Sequence, residues 1–143
     1  MNIRNAAGWI LAMALIGTIP ALAGETECNQ PRGGTKPIKV GIVLSTDDPE
    51  TVFNVFRLAN FSADSGDSVS VFLLGKGVML DRIKDPKFDI AAQVSRFLAN
   101  GQKIMACATC LKFHQSPGSE VCPISSMQDL YDLIRSSDRV LTF

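Results

Sequence analysis

The sequence predicts a three-layer α/β fold: a mainly parallel sheet with helices on both faces. Three observations predict it. Nearly continuous apolar runs rich in β-branched residues recur, as in IKVGIVLS and SVSVFLL. Such runs mark strands covered on both sides. Segments with apolar residues at helical spacing lie between them, and strands alternating with helices imply parallel pairing. A chain of 143 residues is expected to form a single domain of this kind.

Residues 1–23 stand apart from that domain. They carry one charge, Arg4, then an apolar run from Ala6 to Ile19, then Pro20 and Ala21-Leu22-Ala23. This is the layout of a secretory signal peptide with a small-x-small cleavage site. The run is short for a membrane span, and Pro20 shortens it further. Cleavage after Ala23 would give a periplasmic or secreted chain from Gly24 to Phe143, with no membrane attachment. No cysteine follows that site directly, which argues against a bacterial lipoprotein. The mature chain would lose Arg4 and no acid, so the zero net charge of the whole sequence becomes one negative. Nothing in that balance points to a nucleic-acid partner.

Residues 24–37 are polar and contain Pro31, Gly33, Gly34 and Pro37, so they read as an irregular arm. The α/β domain is expected over 38–143. Its first strand is IKVGIVLS. Asp48 is then a candidate N-cap, and Pro49 suits the first helical turn. Val52, Val55, Phe56 and Ala59 share one helical face, and Gly66 can close the helix. SVSVFLL is the second strand. GKGVMLDRI reads as a loop with a turn of helix. From Asp89, the residues Ile90, Val94, Phe97 and Leu98 form the next helical face, ending near Gly101. KIMAC is the third strand, Cys110 to His114 begins a short helix, and EVCPI is a short fourth strand. Ser125 followed by Gln128 resembles a capping box. Met127, Leu130, Tyr131 and Ile134 then form the last helical face, and RVLTF the last strand.

The chemistry concentrates in KIMACATCLKF, Lys103 to Phe113. Ligands and reactive groups collect beyond the carboxyl ends of strands in such sheets, and Cys107 falls at such an end. A helix starting just after it would direct N–H groups and the positive dipole end at its sulfur, which favours the thiolate. That thiolate could attack a sulfane sulfur and carry it as a persulfide. Four readings stay open. In one, Cys107 is the sulfur nucleophile and Cys110 the assisting or resolving thiol. In another, the C-x-x-C pair is a dithiol–disulfide couple. In a third, Cys107, Cys110, His114 and Cys122 hold zinc. In the last, the cysteines are packed small hydrophobes or a structural disulfide. A domain of this size needs no disulfide to fold, so Cys28, Cys107, Cys110 and Cys122 need not be staples.

Other features carry less. GKG lacks the longer glycine pattern and the Ser/Thr of a phosphate loop, so Gly75 and Gly77 read as turn residues and no cofactor is expected. Asp47, Asp48 and Glu50 read as helix-start carboxylates. No Ser/His/Asp arrangement is visible.

At these residues the chain resembles the DsrE/DsrF-like family, close to its YchN-like branch. The most specific parts are KIMACATCLKF and the ending SSDRVLTF; VFNVFRLAN and VSVFLLGKGV fit the same template. The resemblance implies a small α/β domain of flavodoxin-like architecture. It also implies assembly as a homotrimer or homohexamer, and sulfur handling by a loop cysteine that falls on Cys107. Cys110 matches the C-x-x-C of the YchN-like branch. Sulfur donor and acceptor proteins, or small thiols, are the implied partners. Relay members are typically cytosolic, whereas this chain reads as exported, and His114 and Cys122 lie outside the relay pattern. Both departures argue against a role in tRNA thiolation. The resulting expectation is an exported sulfurtransferase or sulfur carrier that binds or passes sulfur through Cys107. A metal- or small-ligand-binding module, or a redox protein using the same pair, is the alternative.

Overall fold

The computed structural model describes residues 36–143. The expected signal peptide, residues 1–23, and nearly all of the arm at 24–37 lie outside the described residues. Five strands form one sheet in the order β4-β3-β2-β1-β5, and every pairing is parallel. The strands are β1 (Lys39–Leu44), β2 (Ser68–Leu73), β3 (Lys103–Cys107), β4 (Ile124–Ser125) and β5 (Arg139–Thr142). The helices are α1 (Pro49–Asp64), α2 (Ile90–Ala99), α3 (Ala108–Phe113) and α4 (Met127–Ser136). The strand order explains the layers. The steps from β1 through β4 run one way across the sheet, and the step to β5 returns past β1. Right-handed crossovers therefore put α1 and α2 on one face and α4 on the other.

The first helix forms as its sequence dictates. Asp48 Oδ2 accepts the Thr51 N–H at 2.8 Å, Pro49 opens the helix, and Gly66 leaves it at φ +97°. Val52, Val55, Phe56 and Ala59 are all buried. They join Phe97 and Val94 of α2 beneath Ile42, Leu44, Val69 and Val71 of the sheet. The Thr51 hydrogen bonds hold the Asp48 carboxyl below the usual carboxylate range. A carboxyl lowered in the fold stabilises it above the unfolded pKa, and the gain is lost as pH falls through the folded value. Asp48→Ala is therefore expected to lower the melting temperature at pH 7, with the gap from wild type closing on acidification below the usual carboxylate range. A gap that persists in acid would show that the cap works without its charge.

Three expectations need correction. EVCPI is not a strand over its length; only Ile124–Ser125 pairs with β3. Ser119 and Cys122 exchange backbone hydrogen bonds at 3.1 Å, folding the first half into a turn, and Pro123 has no N–H to donate. The capping box lies one residue later than expected, at Ser126 and Asp129. The inner face of α4 is Leu130 and Leu133, while Met127, Tyr131 and Ile134 are exposed. Gly41 on β1 sets that orientation: a Cβ there would run into the Leu133 side chain. The phenylalanines of α1 are mostly internal as well. Phe56 packs edge-on against Phe97 at 5.6 Å, and Phe53 lies against Phe88 at 5.3 Å. Phe61 stays exposed. Among the described residues no helix is long and apolar enough to cross a membrane.

Candidate functional site at the carboxyl end of β3

β3 ends on Cys107, and α3 starts on the next residue, two residues earlier than its sequence suggests. Cys107 is thereby the N-cap of α3, and its Sγ accepts the Cys110 N–H at 3.5 Å. It is only 3 % exposed, whereas Cys110, one turn along, is partly exposed. One backbone donor is thus directed at the Cys107 sulfur, with a second thiol beside it.

Cys110 has a second contact. Its Sγ accepts the backbone N–H of Gly75 at 3.2 Å, from the 3-10 segment Gly75–Arg82 that follows β2. Burial pushes the Cys110 thiol up, the neighbouring Cys107 side chain adds to this, and the Gly75 N–H pulls it partly back. The balance keeps Cys110 protonated at neutral pH. The Gly75 contact is the member of the site that its sequence does not announce, because a backbone donor has no side-chain signature.

The other candidates lie apart. Cys122 is fully buried, and burial, followed by the Asp81 carboxylate, pushes its thiol up. It behaves as a packed thiol. His114 ends α3, donating its N–H to the Cys110 carbonyl at 2.9 Å, with its ring edge-on to Phe113 at 5.3 Å. Among the described residues no three His, Cys, Asp or Glu side chains are placed to hold a metal ion. The set Cys107, Cys110, His114 and Cys122 is therefore not gathered into a zinc site. Cys107, Cys110 and Cys122 are all free thiols, so no structural disulfide joins any two of them.

Asp47 and Asp48 sit past β1 on the same sheet edge. Asp47 pairs with Lys76 at 3.7 Å, an exposed contact of small energetic weight, and Asp48 caps α1. Neither forms an acid–base pair with the cysteines.

Residues 39–143 match the DsrE/DsrF-like family. The chain belongs to that family. The DsrE/F-like domain thus accounts for all five strands and carries both cysteines of the pair. Its fold is also that of a conserved protein of unknown function from Bacteroides thetaiotaomicron. The two are 22 % identical, over 73 % of this chain and 94 % of that one, with a TM-score of 0.60. No curated protein matches this DsrE-like chain.

Proposed function

We propose that this protein is an exported DsrE-like sulfur carrier, holding sulfane sulfur as a persulfide on Cys107 and passing it to an acceptor. The observation that carries the reading is the Cys110 backbone N–H directed at the Cys107 sulfur, with a second thiol one helical turn along, at the end of an interior strand. Family membership supports it, since DsrE/F-like proteins are associated with sulfur relay. The near-closure of Cys107 favours small sulfur donors and protects a bound persulfide from water and oxidants. Export rests on the charged start, short apolar run and Ala21-Leu22-Ala23. Assembly as a homotrimer or homohexamer is supported by the bare apolar stripe of Met127, Tyr131 and Ile134, continued by exposed Val140 on β5.

The mass of the purified protein after a persulfide donor tests the carrier reading. One added sulfur on the Cys107 peptide, removed by reductant, is expected. A Cys110→Ser protein, which cannot discharge internally, that gains none would refute it. The C-x-x-C spacing also suits a dithiol–disulfide couple, which would instead make the chain two hydrogens lighter without any sulfur donor.

Discharge has a defined pH dependence. Cys110 is raised in the fold, so its thiolate accumulates only above the ordinary thiol range, near 8.5. Release of sulfur that depends on Cys110 should accelerate with rising pH and level off beyond that range. A stopped-flow profile flat from pH 7 to 10 would count against Cys110 as the attacking group.

A further inference from the structure

The Gly75-Lys76-Gly77 segment binds no phosphate by its pattern, yet its backbone is held closely. Leu74 N–H donates to the Leu44 carbonyl at 2.9 Å, and Gly77 N–H to the Leu74 carbonyl at 2.9 Å. Gly77 lies flat on the end of β1, where any Cβ would strike the Leu44 backbone. Gly75 is left-handed at φ +51°, and in that conformation its N–H meets the Cys110 sulfur at 3.2 Å. Cys110 is thus fixed from two sides, by the β2 loop and by Cys107.

We propose that the Gly75 amide is the positioning group that makes Cys110 a resolving thiol, so that a persulfide on Cys107 is discharged within the protein as hydrosulfide. This rests on the reading of Cys107 as the sulfur carrier. The Cys110 sulfur attacks the inner sulfur of the Cys107 persulfide. A bond forms between the two cysteine sulfurs, and the bond from Cys107 to the outer sulfur breaks. The electron pair leaves with the outer sulfur, which takes the Cys110 proton and departs as hydrosulfide. The sulfane sulfur is reduced by two electrons, and the two cysteines are oxidised to a disulfide. One turnover needs no other reagent; repeated turnover needs a dithiol reductant to reopen the pair. The amide contributes twice. It holds the attacking sulfur in line, which removes an orientational cost, and its N–H stabilises the thiolate as the proton leaves.

The test starts from reduced protein loaded with inorganic polysulfide, freed of excess, and followed without oxygen by intact mass and hydrosulfide release. Wild type should release one hydrosulfide per chain and end two hydrogens lighter than its reduced form. Gly75→Val cannot hold a left-handed backbone. Release from the loaded variant should be roughly tenfold slower, the worth of one hydrogen bond, and should need a higher pH. Gly75→Asn tolerates the conformation and should restore release to within about twofold of wild type. Should Gly75→Val fail to fold, Gly75→Ala takes its place, and the wild-type stoichiometry decides independently. Wild-type protein that keeps its outer sulfur overturns the inference while leaving the carrier reading intact. So does a Gly75→Val variant that releases at the wild-type rate, or a Gly75→Asn variant as slow as Gly75→Val. If Cys110→Ser gains no adduct on Cys107 and wild type releases no hydrosulfide, both fall.

Discussion

Cys107→Ser is expected to abolish sulfur loading, and Cys110→Ser to load normally but discharge slowly. A serine hydroxyl stays protonated and forms no persulfide, so the first variant removes the carrier atom itself. The second leaves Cys107 at its N-cap with the residue-110 N–H still directed at it, because that donor belongs to the backbone. It removes the S–H and the internal attacking group. Peptide mass spectrometry after polysulfide treatment separates these cases. An adduct that survives Cys107→Ser and disappears in Cys110→Ser would reverse the two roles. Such a reversal is physically coherent, since Cys110 is the more exposed of the two, which makes the pair of variants more informative than either alone.

Gly77→Ala should cost roughly 3 kcal/mol of stability, at the upper end for overpacking a tight site. Its Cβ would lie 2.9 Å from the Leu44 carbonyl carbon and closer still to the oxygen. Those atoms are backbone at the end of β1, an interior strand, bonded through Leu44 O to Leu74, so they cannot swing aside as a side chain can. Relief must come from shifting the β2 loop. Urea titration would show a lower midpoint at an unchanged slope. The same shift would carry the Gly75 amide away from Cys110, so the folded fraction of Gly77→Ala should also discharge slowly. Gly66→Ala is a useful contrast. Unlike Gly77 it sits at positive φ, but its Cβ would meet only a Pro37 side-chain carbon at 3.9 Å. A Gly77→Ala protein no less stable than Gly66→Ala would contradict the close approach.

From β1 to α3 the architecture was legible because each element carries its own local signal. Asp48-Pro49 marks a helix start, and IKVGIVLS and KIMAC are apolar through both faces. Beyond α3 the determinants become distant. Cys122 lies in a stretch that reads as strand, but its turn is closed by Ser119 and its thiol is packed near Asp81 on the far 3-10 segment. α4 offers five apolar residues over a broad arc. Which of them face inward depends on the missing Cβ of Gly41 on β1, which the periodicity of α4 cannot report. The site divides in the same way. The adjacency of Cys107 and Cys110 follows from one helical turn, whereas the separation of His114 and Cys122 from them depends on how two loops run. The contribution of Gly75 was hidden for a different reason: its glycine pattern suggested turn geometry, correctly, and turn geometry is what aims the amide.

The sheet order also bears on the history of each molecule as it folds. β1 is interior, yet one of its two neighbours, β5, follows the other four strands in the chain, with Val40 beside Arg139 and Val43 beside Thr142. Closing so long a loop is entropically slow compared with pairing β1 to β2. Until β5 arrives, β1 has an open edge, and the Ser45 N–H lacks the Phe143 carbonyl that later accepts it at 2.8 Å. A growing chain therefore cannot complete its sheet before β5 emerges, and nascent forms expose an apolar strand edge of the kind that chaperones shield.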